Sequence, residues 1–92
     1  SFGAAKGIID RMALVRNYKI LILDITEVPR LGVTASLAIE DMMQEAKNNS
    51  KTAFVAGANE LVQKRLSKFG VEGKIVSSRK EALLAALEEL KK

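Results

Sequence analysis

Residues 20–39 read Ile-Leu-Ile-Leu-Asp-Ile-Thr-Glu-Val-Pro-Arg-Leu-Gly-Val-Thr-Ala-Ser-Leu-Ala-Ile, and two different periodicities meet inside them. The opening run, Ile20, Leu21, Ile22 and Leu23, is apolar without alternation, the pattern of a parallel strand covered on both faces. It predicts a strand over 19–24 that is central and the most buried in the molecule. The run stops at Asp24, and Pro29, the only proline, cannot extend a central strand because it lacks a ladder donor. From Thr34 the apolar residues Ala35, Ala38, Ile39, Met42 and Ala46 fall at helical spacing, with Glu40, Asp41, Gln44, Glu45 and Lys47 opposite them. That helix closes at the Asn-Asn-Ser turn of residues 48–50.

The same alternation continues on both sides. Upstream, Ala5, Ile8, Ile9, Met12 and Val15 predict an amphipathic helix over 4–16. Downstream, residues 52–56 form a second apolar run ending at Gly57, and Asn59 is placed to cap a helix that carries Val62, Leu66 and Phe69 on one face. Gly70 suits the end of that helix. Residues 74–76 read as a third strand. Ser78 with Glu81 three positions on is a capping-box pattern in front of a helix with Leu83, Leu84, Leu87 and Leu90. Strands alternating with helices imply an α/β domain with a small, mainly parallel sheet, helices packed against it and right-handed crossovers. Three short strands make a narrow sheet, and the apolar pattern is already running at Ser1. The expectation is one domain over 1–92, cut from a longer protein whose preceding strands are missing.

Composition restricts the chemistry. The chain has 92 residues, 48% of them hydrophobic and 4% aromatic, so its core is aliphatic. Cysteine and histidine are both absent, which removes thiol nucleophiles, disulfides, the usual zinc ligands and the commonest general base. No enzyme, cofactor or metal site is expected. The net charge of +4, from 15 basic against 11 acidic residues, concentrates at Lys64, Arg65, Lys68, Lys74, Arg79, Lys80, Lys91 and Lys92. Without interleaved aromatics or a recognition motif these read as solvated helix faces, and no nucleic-acid partner is expected. No apolar run approaches the roughly 18 to 20 residues that span a bilayer.

Ligand sites in open α/β sheets lie beyond the carboxyl ends of the strands, here residues 24–32, 57–59 and 77–78, which should converge on one edge. Asp24 stands where a phosphoacceptor aspartate would, but the acidic cluster and lysine that hold Mg²⁺ beside such a residue are missing. Its expected role is structural, accepting hydrogen bonds from backbone at the strand end. Thr34 and Ser36 are expected to cap the helix with their hydroxyls. The same helix start, with Arg30 beside it, also suits a nucleotide phosphate or a small anion. Glycines 57, 70 and 73 lack the spacing of a phosphate-binding loop. Met12, Met42 and Met43 are assigned to the core.

The ordered set of residues 20–39, the strand ending at Gly57, the helix ending in Phe69-Gly70-Val71 and the last helix with Glu81-Ala82-Leu83 resembles the STAS domain. That family is shared by SulP-type anion transporters and bacterial anti-sigma factor antagonists. The start, Ser1-Phe-Gly-Ala-Ala-Lys-Gly-Ile, is similar to the transporter branch, in which two strands precede the first helix; cyanobacterial bicarbonate carriers are one candidate within it. The resemblance implies a non-catalytic regulatory and dimerisation domain of a sulfate or bicarbonate transporter, on the cytoplasmic side of the plasma membrane. Its implied partners are a second copy and the membrane transport domain of the same polypeptide. The implied contact surface comprises Asp24, Pro29, Arg30, Leu31, Gly32, Val33, Thr34 and Ser36. The alternative is a free-standing antagonist that switches partners on phosphorylation. Against it, Gly32 and Val33 occupy the positions of the motif aspartate and acceptor serine, and neither side chain can carry phosphate.

Overall fold

A computed structural model describes residues 18–71 and 74–92; the helix expected over 4–16 lies outside the described residues. Strand β1 (Ile20–Asp24) leads to helix α1 (Val33–Asn48), then β2 (Thr52–Ala56), α2 (Glu60–Lys68), β3 (Ile75–Val76) and α3 (Arg79–Leu90). The sheet has order β1-β2-β3. Both pairings are parallel, with Ile20 opposite Thr52, Asp24 opposite Ala56 and Ala56 opposite Val76. The alternation of strand and helix is thus realised as an α/β sheet.

Strand side chains alternate between two cores, because the pleat sends successive residues to opposite faces. On one face Leu21, Leu23, Val55 and Ile75 meet Ala35, Ile39 and Met42 of α1 and Val62 and Leu66 of α2. On the other, Ile20, Ile22, Phe54, Ala56 and Val76 meet Ala82, Ala85 and Ala86 of α3. Two helices therefore cover the first face and α3 the second.

The ranking of the strands corrects the sequence expectation. The most buried strand is β2, whose residues from Ala53 to Ala56 are all buried, while those from Ile20 to Leu23 in β1 are half-buried. The apolar run of β1 reports its two covered faces, but lateral position also sets burial. Among the described residues β2 has a hydrogen-bonded neighbour on each side and β1 on one.

The helix ends follow their local chemistry. Asn59 Oδ1 accepts from the Val62 amide at 2.8 Å, capping α2. Its other end closes with Val71 N–H on the Leu66 carbonyl and Gly70 N–H on that of Ser67, both at 3.0 Å. Gly70 takes φ of +82°, the left-handed conformation this closure requires. In α3, Ser78 Oγ accepts from the Glu81 amide at 3.1 Å. The return bond falls one residue earlier than the capping box predicts: the Glu81 carboxylate accepts from the Ser77 amide at 2.9 Å and from the Ser77 hydroxyl, which holds Glu81 below the ordinary carboxylate range. The second difference is the orientation of α3. It buries Ala82 and Ala86 and leaves Leu83, Leu84, Leu87 and Leu90 exposed. Alanines let the helix backbone approach Phe54 and Ala56, and the leucines turn outward.

Candidate functional site

The carboxyl ends of the strands are tied together by backbone. Ile25 N–H donates to Ala56 O at 2.9 Å and Gly57 N–H to Val76 O at 3.1 Å, so the loops after β1, β2 and β3 converge on one edge. Asp24 closes the turn after β1 by accepting from the Thr26 amide at 3.0 Å and from the Thr26 hydroxyl. These two bonds, the hydroxyl first, hold its carboxyl below the ordinary range, with help from the Arg79 charge and against a desolvation effect. The structural role expected of Asp24 is realised. Gly57 fits this turn so closely that a Cβ there would stand 2.1 Å from Thr26 Oγ1 and 2.9 Å from Thr26 Cα, at φ of +79°.

From this turn the chain runs to α1. Val28 N–H donates to Ile25 O at 3.0 Å, and Asn59 Nδ2 donates to Pro29 O at 3.1 Å, pinning the loop to the start of α2. Leu31 enters the core at 4% exposure. Gly32 is the N-cap of α1 and no side chain caps the first turn. This corrects the expectation for the hydroxyls. Thr34 is already inside the helix and exposed, and Ser36 is fully buried, its Oγ donating 2.8 Å back to the Gly32 carbonyl. The helix begins at Val33, so both hydroxyls come too late to reach the first-turn amides.

Four of the eight sequence-derived residues line two open clefts. Asp24 lies in one of about 630 Å³ with Thr26, Glu27, Val28, Ser78, Arg79 and Lys80. Arg30, Leu31 and Gly32 line another of about 420 Å³ with Leu61 and Arg65 of α2. Leu61, in the lining of the second cleft, is 59% exposed, and on α1 Val33 and Leu37 are 53% and 44% exposed. Pro29, Arg30, Val33 and Thr34 thus present surface, while Leu31 and Ser36 support it from within. Leu61 and Arg65 are additions that sequence reasoning missed. Leu37 precedes Ala38 on the buried stripe and Leu61 precedes Val62, and that one-residue offset turns each outward.

The second cleft joins two guanidinium groups, an uncapped helix start and the exposed side chain of Leu61. An uncapped start presents amide hydrogens and the positive end of the helix dipole. Such a surface accepts a carboxylate beside an apolar side chain. No group of acidic residues able to hold a metal occurs among the described residues.

Residues 1–89 match the family described as STAS domain. The bicarbonate transporter BicA of Synechocystis sp. is 34% identical over 91 residues, and that of Picosynechococcus sp. 36%. Each alignment covers 94% of this chain and 16% of the transporter, so the chain spans about one sixth of these relatives' length. Among solved structures, the SulP transporter STAS domain from Vibrio cholerae superposes with a TM-score of 0.75 at 29% identity, over 98% of this chain and 75% of that one. A sulfate transporter family protein from Wolinella succinogenes shares the fold, with a TM-score of 0.84 at 18% identity over 99% of this chain and 80% of that one. Among the described residues no helix is long and apolar enough to cross a membrane.

Proposed function

This chain belongs to the STAS domain family, and from that premise we propose that it is the non-catalytic regulatory and docking domain of a SulP-type anion transporter. In this reading it is a single domain carried on the cytoplasmic side of the plasma membrane, with the transport path elsewhere in the polypeptide. The similarity to two bicarbonate transporters supports bicarbonate as the anion carried. The domain acts by contact: the exposed part of residues 29–34, with Leu61 and Arg65, seats an acidic and apolar element of the transport part.

The observation that carries this reading is the start of α1, where Gly32 leaves the first turn without a side-chain cap between Arg30 and Arg65. A partner carboxylate supplies the missing cap. Dimerisation belongs to the same reading, a second copy protecting the narrow sheet. The phosphorylation-switched alternative lacks an acceptor at Gly32 and Val33, Ser36 is buried with its hydroxyl engaged, and the one exposed hydroxyl at the start of α1 is that of Thr34, one position past the usual acceptor.

The test is the size and location of the native polypeptide. An antibody raised against residues 79–92 should detect a product several times larger than this chain, resistant to carbonate extraction from the membrane fraction. A product near the 10.0 kDa of this chain in the soluble fraction contradicts the proposal.

A further inference from the structure

The outward side of α3 is a leucine face bracketed by cations. Lys80, Leu84, Leu87 and Lys91 follow at i, i+4, i+7 and i+11, one stripe along the helix, and Leu83 and Leu90 flank it. All four leucines are 49–58% exposed, because the opposite face buries Ala82 and Ala86 against the sheet. The placement of the charges is unusual. Arg79 and Lys80 occupy the first two helical positions, where the helix dipole disfavours cations. Arg79 faces Asp24 across the first cleft, and Lys80 has no ion-pair partner among the described residues. At the other end Lys91, on the stripe itself, pairs with Glu88 beside it at 3.1 Å, and Lys92 pairs with Glu89 at 3.2 Å.

We propose that the Lys80-Leu84-Leu87-Lys91 face of α3 lies on an anionic lipid surface, its leucines entering the headgroup layer and its lysines meeting lipid phosphates. This rests on the reading above, which brings the domain next to a bilayer. Charge selects this occupant over a second copy. Folding the stripe onto itself in antiparallel fashion sets Lys80 of one copy against Lys91 of the other, and a parallel pairing sets each lysine against itself. An anionic surface supplies the partner that Lys80 lacks and competes with Glu88 for Lys91. Twelve residues give a helix of about 18 Å, enough to rest in the interface plane and too short to span it.

The experiment is vesicle flotation of the 92-residue chain with phosphatidylcholine alone and mixed with phosphatidylglycerol, alongside sedimentation velocity. Binding to the mixed vesicles, reduced by salt, is expected. Lys80→Gln should weaken it about fivefold, the effect of one cation near an anionic surface, and L84Q/L87Q about tenfold or more. Both variants alter exposed positions, and unchanged circular dichroism verifies their fold. R30E, in the loop before α1 and off the leucine face of α3, should leave vesicle binding intact, so failure of the loop reading and failure of this one are separable. Absence of flotation with mixed vesicles overturns the proposal. So does flotation insensitive to L84Q/L87Q, or a dimer that these two substitutions dissolve in the absence of lipid.

Discussion

Replacing Gly57 by alanine tests the geometry that positions the candidate site. The new Cβ would stand 2.1 Å from Thr26 Oγ1 and 2.9 Å from Thr26 Cα. Rotating the Thr26 side chain removes the first conflict but breaks its bond to Asp24, a loss of about 0.5–1.5 kcal/mol. The second conflict is with backbone, so the turn after β1 must move away from β2. The left-handed conformation of residue 57 adds about 1–2 kcal/mol for any side chain other than glycine's. Together G57A should cost about 2–4 kcal/mol, a large share of the stability of a small domain. Gly70 is the control: its φ of +82° matches, but no atom lies within 4 Å of its Cβ position. G70A should therefore cost only the backbone part, about 1–2 kcal/mol. Urea unfolding of both variants reads the difference, which isolates the close approach between Gly57 and Thr26. Equal costs for the two would refute the reasoning.

Four further outcomes are expected. Ser78→Ala, which removes the cap of α3, should lower stability by about 1 kcal/mol in urea unfolding; no change would place the helix start elsewhere. Asp24, held low by Thr26, contributes stability above its unfolded-state pKa that is lost as pH falls through its lower folded value, in the region below about pH 4. NMR titration should accordingly move the Asp24 midpoint upward in Thr26→Val, and an unmoved midpoint would deny the hydroxyl its role. Gly32→Asp should stabilise the fold by a few tenths of a kcal/mol by filling the empty cap, with a raised urea midpoint as the readout, while weakening docking through the added negative charge. Arg30→Glu combined with Arg65→Glu should leave the fold unchanged, since both guanidinium groups are exposed, yet reduce association with the transport part.

Much of the architecture was legible because local signals agreed with one another. The strands ended at Asp24 and just before Gly57, where the apolar runs stopped, Asn59 and Ser78 capped helices as their types predict, and Ala35, Ala38, Ile39, Met42 and Ala46 are all buried. What escaped were features set by tertiary context. Lateral order, which the runs at β1 and β2 do not encode, made β2 the buried strand. In α3 both faces are apolar, so periodicity did not reveal that alanines face the sheet and leucines face out. Near the site, the helix begins at Val33, one residue before the expected start, and that shift changed Ser36 from a cap into a buried donor to Gly32. Arg65 and Leu61 joined the loop only through the packing of α2 beside it, a proximity with no trace in a linear reading.

The most direct test of the docking surface places a photo-crosslinking residue at Val33, at Leu61 or, as control, at exposed Glu45 near the far end of α1, each in the intact polypeptide in native membranes. The account predicts crosslinks to the membrane-embedded part from positions 33 and 61 and none from 45. No crosslink from 33 and 61, or equal crosslinking from all three, would contradict it.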